Sequence, residues 1–268
     1  MNPIEQHYNT IDEHERLNRF TGQLEGERTR IIISKHLPAE PATILDAGGG
    51  TGVYSFWLAS LGHKVSLLDF TAKHISKAKA RQEQSSHKLQ GIAQGDARDL
   101  GSYETGTFDI VLFFGPLYHL VEKKDRNKAL NEAFRVLKKG GKLIAAGIQK
   151  YASLYDGIHR GLIDDPYFVE ILKQDLKDGQ HRNPKNVDEY FTTAYFQLPS
   201  EMKEEIGQCG FNVIETVSVE GPAWIAQDFE TRWKDEVKRK QLLEILQLIE
   251  HDENLLNITQ HYLVVAKK

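Results

Sequence analysis

Apolar residues along the first 150 positions alternate between two rhythms. Pro41 and the β-branched Thr43-Ile44 lead a short run that ends near Asp46. Tyr54, Phe56, Trp57, Leu58 and Leu61 then recur at three-to-four spacing, the mark of a helix with one buried face. His63–Asp69 reads as a second strand ending in an acid. Thr71 is placed to cap a helix running through Ile75, Ala78 and Ala80. Leu89–Gly95 gives a third strand, closed by Asp96-Ala97. Phe108–Phe114 is almost continuously apolar, which fits a strand covered on both faces. A helix carrying Ala129, Leu130, Ala133, Phe134 and Leu137 follows, with Gly140-Gly141 as its stop and Lys142–Ile148 as a fifth strand. Strands alternating with helices predict an α/β fold, a mainly parallel sheet with helices on both faces.

The periodicity weakens from Gln149 to about Tyr195, a stretch too long for a bare connection and therefore read as an insertion with its own helices. Regularity returns with a helix over Ser200–Gln208, a strand over Phe211–Val219, a helical stretch over Phe229–Ile249 and a last strand over His261–Ala266. The whole chain, 1–268, reads as one domain with a helical region at 1–38 and an inserted segment at 149–197.

Composition narrows the functional classes. The chain has 268 residues and a net charge of −4, without the basic excess that nucleic-acid binding demands. One cysteine, Cys209, excludes an intramolecular disulfide and a cysteine-cluster metal site, and points to a reducing, cytoplasmic setting. No histidine pair has metal-ligand spacing. The first residues are polar and acidic, unlike a signal peptide, and no apolar run reaches membrane-spanning length.

The chemistry concentrates in Asp46-Ala47-Gly48-Gly49-Gly50-Thr51-Gly52, a D-x-G-x-G-x-G turn between strand and helix. Glycines there let backbone N–H groups approach a ligand. The dinucleotide fingerprint needs a third glycine where this chain has Val53, which disfavours a nicotinamide cofactor. Asp46 would repel a phosphate and suits an ammonium group. The bland alternative is a tight turn without a ligand.

This turn resembles the first motif of the class I S-adenosylmethionine-dependent methyltransferases. The resemblance covers residues 40–148 well and 198–268 more loosely. It implies a three-layer sandwich around a seven-stranded sheet with the last strand antiparallel and a helical lid inserted after strand 5. S-adenosylmethionine is the implied cofactor, its methionine part held at Gly48, Gly49, Gly50 and Gly52. Asp69 then matches the acid that accepts hydrogen bonds from the ribose hydroxyls, and as a strand-end carboxylate it is expected outside the core. Asp96 with Ala97 matches the position that reads the adenine edge, Phe70 packs on the adenine face, and Phe114 lies beside the sulfonium. Singly such acids are usually solvated; three at successive strand ends point to a ligand.

The segment Phe114-Gly115-Pro116-Leu117-Tyr118-His119 lacks the Asn/Asp-Pro-Pro-Tyr/Phe motif of enzymes that methylate exocyclic or amide nitrogens. His119 is the candidate general base, with contact to the cofactor or lid as the alternative role for it and Tyr118. Tyr151, Tyr155, Asp156, His159 and Tyr195 of the insertion are candidate acceptor contacts, with simple packing of a helix face as the competing reading. His7, Tyr8 and His14 are placed to close over the cofactor or to fray, and Trp224 to line the cavity or the core. The expected activity is methyl transfer to a small molecule. The alternatives are an RNA or protein methyltransferase and a non-catalytic cofactor-binding protein; neither the acceptor nor the oligomeric state follows from the sequence.

Overall fold

The computed structural model describes residues 3–10, 16–18, 21–187, 189–226 and 228–268. Helices α1 (Pro3–Thr10) and α2 (Gly22–His36) precede an alternating series: β1 (Thr43–Ala47), α3 (Val53–Ser60), β2 (Lys64–Asp69), α4 (Ala72–Gln84), β3 (Gly91–Gln94), β4 (Phe108–Phe113), the short α5 (Pro116–His119), α6 (Lys123–Val136) and β5 (Leu137–Ile148). After β5 come α7 (Ala152–Arg160), α8 (Pro166–Asp178) and a two-stranded hairpin, β6 (Gln180–His181) with β7 (Ala194–Tyr195). The chain closes through α9 (Pro199–Gln208), β8 (Asn212–Ser218), α10 (Phe229–Lys234), α11 (Glu236–Ile249) and β9 (His261–Lys267).

The main sheet has seven strands in the order β3-β2-β1-β4-β5-β9-β8. Its first five strands are parallel, and β9 runs antiparallel between β5 and β8. Pleat alternation divides the core between the two faces. Leu45, Val111 and Leu143 pack toward Ala129, Ala133 and Ile206 of α6 and α9. Ile44, Leu112 and Ile144 pack toward Ile32, Phe56 and Ile75 of α2, α3 and α4. Strand order reverses between β1 and β4, and in open α/β sheets such a crevice at the carboxyl ends of the strands receives the ligand.

Three local expectations are corrected. Gly140-Gly141 does not stop α6; β5 begins at Leu137, directly after the helix, and pairs with Phe108. The register shift between Phe108 and Ile110 accommodates the glycines within the strand, where glycine commonly marks a bulge. The stretch 229–249 is two helices, because Asp235 caps α11 by accepting from the N–H groups of Val237 and Lys238. Thr71 does precede α4, yet its hydroxyl makes no capping bond.

The inserted segment builds a small core of its own from Phe168, Ile171, Leu172 and Tyr190. Helix α8 is set by Asp165 at its N-cap, Pro166 in its first turn and Gly179 beyond its end. Ile148, Ala152, Ala194 and Phe196 join the segment to the end of β5. Among the described residues, no helix is long and apolar enough to cross a membrane.

Candidate active site

The turn after β1 folds over the sheet edge through Gly48 N–H, which donates to Leu68 O at 2.7 Å. Gly48 has φ +81°, and a Cβ there would lie 2.5 Å from Cδ of Pro116. Gly52 has φ +83°, and its Cβ would meet the Phe56 ring and Leu67. Both need glycine for conformation and space together. Asp46 is fully buried under this turn. Its Oδ2 accepts from Ser55 Oγ at 2.5 Å, while Oδ1 has no hydrogen-bond partner among the described residues. Burial pushes its carboxyl up to about 6, against the Ser55 hydrogen bond and with help from the nearby Asp69 charge. A buried carboxylate with an unused acceptor favours a cationic ligand group.

Asp69 closes β2, and the expectation that it stands outside the core is wrong. It is 6% exposed. Its Oδ2 accepts from Gly50 N–H at 2.8 Å, and its Oδ1 accepts from Thr71 N–H at 2.8 Å and lies 3.1 Å from His74 Nδ1. The carboxylate therefore staples the glycine turn to the start of α4. Asp96 is likewise engaged: both its oxygens accept from Arg98, whose Nη1 also reaches Asp125. Burial works to raise Asp96, but the Arg98 hydrogen bonds and charge outweigh it and hold the carboxyl below its usual range. Phe70 is 42% exposed and lines, with Asp96, Ala97 and His74, a cavity of about 160 Å³.

A second cavity, about 410 Å³, runs from Asp46 and Gly48–Gly50 up beneath the inserted segment. Tyr8, Gly48, Gly50, Phe114 and Tyr118 line both cavities. His119 lines the smaller cavity, with Nδ1 3.1 Å from Thr193 O and Nε2 2.9 Å from the Tyr8 hydroxyl. A carbonyl only accepts, so Nδ1 carries the proton and Nε2 accepts from Tyr8. Enclosure is the main reason the imidazole is depressed to about 4; Thr193 opposes it and the nearby His7 adds to it. His119 is thus neutral near pH 7, and its basic nitrogen is already engaged by Tyr8. His7 meets the Phe191 ring edge-on, and His14 lies outside the described residues.

The acceptor contacts expected from the insertion need correcting. Helix α7 turns Ala152, Ser153, Asp156 and Arg160 toward the large cavity. Tyr151 and Tyr155 are not among its walls. Tyr155 packs on Trp224 and donates to Asn257 O, and His159 also meets Trp224, whose indole N–H is taken by Ile258 O. The four-residue spacing was sound; the helix phase was not. Tyr195 lies against the Arg126 guanidinium at 3.9 Å, in a separate acidic cleft with Glu201 and Glu205. The walls that sequence reading missed include Phe191, Phe196 and Ser153. The apolar phase of α7, set by Ala152, was the available signal for Ser153. The hairpin aromatics carried none.

Glu25 and His261 also line this cavity, and with the buried Glu220 they lie close enough to share an ion. Here the charges are met otherwise. Burial alone would depress His261, but Glu220 and Glu25 raise it to about 9, and Arg16 pairs with Glu25 at 2.6 Å. Imidazolium and guanidinium occupy the carboxylates.

The two cavities offer what the expected cofactor requires. Asp46 Oδ1, Thr51 Oγ1 and His74 Nε2 are buried and without partners among the described residues, and all border the glycine turn. Comparison with known proteins points the same way. The methyltransferase domain family matches residues 45–145. A glycine/sarcosine N-methyltransferase of Halorhodospira halochloris is 35% identical over 203 residues, 72% of this chain and 70% of that protein. A demethylmenaquinone methyltransferase of Lactococcus lactis is 29% identical over 198 residues, covering 71% and 73% of the two chains. In fold, the chain is similar to a methyltransferase structure from Methanosarcina mazei, with TM-score 0.60, 21% identity, and 88% and 96% of the two chains covered. By its sheet, its glycine turn and these relatives, the chain belongs to the class I S-adenosylmethionine-dependent methyltransferases.

Proposed function

We propose that this enzyme methylates a small molecule held beneath the inserted segment. The observation that carries the reading is the large cavity, which continues from the glycine turn and is walled by Tyr54, Phe114, Tyr118, Phe191 and Phe196. A concave site that combines aromatic walls with polar groups such as Ser153, Asp156 and Arg160 suits a metabolite-sized ligand. The relatives named above act, by their names, on glycine or sarcosine and on demethylmenaquinone, small molecules of unlike chemistry. They support the size class and leave the attacking atom open.

The bound cofactor supplies an activated methyl group on a sulfonium, a good leaving group. Asp46 would hold its ammonium group, and Phe70, Asp96 and Ala97, which line the smaller cavity, would border its adenine. Phe114 and Tyr118 line both cavities and would flank the junction between cofactor and acceptor. The chain contributes alignment and exclusion of water. Proton transfer is assigned to Tyr8 backed by His119: the hydroxyl donates to Nε2 at 2.9 Å, so a proton shed by the acceptor to Tyr8 would be relayed to the imidazole. An imidazole depressed to about 4 is a weak base. It suits an acceptor that sheds its proton during or after attack better than one ionised beforehand.

The test uses cofactor labelled in its methyl group, incubated with the enzyme and either a metabolite extract, total RNA or unfolded protein. Label is expected in the low-molecular-weight fraction. Label confined to RNA or protein would refute the small-molecule reading while leaving the family assignment intact.

A further inference from the structure

We infer that the methyl acceptor carries a carboxylate, and that His261 anchors it by donating a hydrogen bond from Nε2. The inference rests on the small-molecule reading above and names the class of molecule. His261 opens β9 and links the buried Glu220 to the wall of the large cavity. Its Nδ1 lies 2.6 Å from Glu220 Oε1, while Glu220 Oε2 accepts from the His261 main-chain N–H at 2.9 Å and the Thr259 hydroxyl at 3.0 Å. A carboxylate only accepts, so Nδ1 carries a hydrogen. The charge of Glu220, 1% exposed, calls for a counter-charge, and among the described residues His261 is the cation that pairs with it. Glu25 Oε2 stands 3.9 Å from the same nitrogen. Burial alone would lower the ring, but Glu220 and Glu25 outweigh it and hold it at about 9. Both ring nitrogens are therefore protonated near pH 7. Nε2 has no hydrogen-bond partner among the described residues and is not sealed from solvent. It is a charged donor held in place by a buried acid and open to the cavity.

The balance of charge selects the ligand. Arg16 meets Glu25 through two bonds of 2.6 and 2.8 Å, and His261 meets Glu220, so the cluster adds one charged donor without an excess of positive charge. Arg160, a further cation on the cavity wall, is answered likewise by Asp156 at 2.8 Å. A carboxylate, a monoanion with two accepting oxygens, suits such a donor. A phosphate, with nearly two negative charges, would be set against Glu25 and Glu220. Position separates acceptor from cofactor. The order β1-β4-β5-β9 sets His261 three strands from Asp46, about 14 Å at the usual spacing. The cofactor's own carboxylate shares one carbon with its ammonium group and so stays near Asp46. Phe114, just past β4, borders both cavities, and β9 is two strands from β4, about 10 Å. An acid held at His261 therefore presents its other end to the methyl group.

A metabolite extract and methyl-labelled cofactor test the class of acceptor. One portion of the extract is treated with carbodiimide and excess methylamine, which turns carboxylates into neutral amides. A second receives methylamine alone, and a third a phosphatase. Low-molecular-weight label is expected from the second and third portions and not from the first. Equal labelling of the first and second overturns the inference and leaves the small-molecule reading standing. Loss of label after phosphatase treatment overturns it in favour of a phosphate, and label released as methanol by mild alkali overturns it by making the carboxylate the site of attack. Label found only in RNA or protein added alongside removes the small-molecule reading, and this inference with it. The residue is tested with His261→Phe combined with Glu220→Gln, so that no buried acid is left unpaired. At sub-saturating extract its labelling rate should fall about ten- to hundredfold, the worth of a charge-assisted hydrogen bond. The rate should recover as the extract is concentrated, because anchoring acts on KM. An unchanged rate dismisses His261. Its Kd for S-adenosylhomocysteine should stay within about twofold of the wild type, and a rise of about tenfold would give the imidazolium to the cofactor instead. The extract comparison uses the wild type alone, so it decides even if the double variant fails to fold.

Discussion

At the scale of single residues, the glycine turn keeps its ligand-facing atoms at a cost in stability. Asp46 is the sharpest instance. Its folded carboxyl titrates at about 6, above the roughly 3.9 of an unfolded aspartate. The folded apo protein therefore holds this proton more tightly than the unfolded chain. The stabilisation is complete below about pH 4 and is lost as pH rises through 6, on the order of 3 kcal/mol at most. Asp46→Asn should accordingly raise the apo thermal midpoint at pH 7.5 yet abolish most of the rise caused by S-adenosylhomocysteine. In the wild type, cofactor affinity should fall as pH drops through 6, since the proton competes with the ammonium group. Calorimetry from pH 5 to 8 measures it; affinity that ignores pH over that range would remove Asp46 from ammonium recognition. For Asp69→Ala, cofactor binding should weaken by about 1.5–3 kcal/mol. Apo stability should fall as well, by about 1–3 kcal/mol, because the buried N–H of Thr71 and the partly buried N–H of Gly50 lose their acceptor; chemical denaturation reads that loss directly.

At the scale of elements, existence was easier to read than orientation. Helix α7 lies in the segment expected to be helical, but which side faces the cavity depends on how Ala152 seats against Ile148 and Phe196. Tyr155→Phe should change kcat/KM less than about twofold, as expected for a side chain away from the chemistry. Ser153→Phe fills the cavity and should depress turnover while S-adenosylhomocysteine binds as before; steady-state kinetics beside calorimetry separates the effects. If the insertion opens to admit the acceptor, α7 and α8 must be less stable locally than the sheet. Hydrogen exchange should then be faster over 152–178 than over Ile44–Asp46 and Val111–Phe113, and should slow when S-adenosylhomocysteine is added. Exchange as slow as the sheet's, and indifferent to ligand, would make the segment a fixed cap. Boundaries failed where a glycine or an acid had two lawful uses, as at Gly140-Gly141 and Asp235.

At the scale of the whole molecule, ligand linkage tests the assignment itself. At a hundredfold excess over its Kd, S-adenosylhomocysteine should stabilise the fold by about 2.7 kcal/mol, which for a chain of this size is about 5–10 °C in Tm. NAD at equal concentration should give no shift, because Val53 stands where a dinucleotide site needs glycine. The alternating strands and helices, the glycine turn and the three strand-end acids were determined by the sequence alone. They are local signals: side-chain period, turn chemistry and chain order suffice to state them. What each acid and imidazole does was decided only by the tertiary structure. Asp69 holds the glycine turn because Gly50, 19 residues away, donates to it. His119 is a neutral partner of Tyr8 because residues 111 and 74 positions distant meet its two nitrogens. A residue's type sets how many hydrogen bonds it can make. Only the fold, by bringing distant donors and acceptors within 3 Å or so, sets how many remain for a ligand.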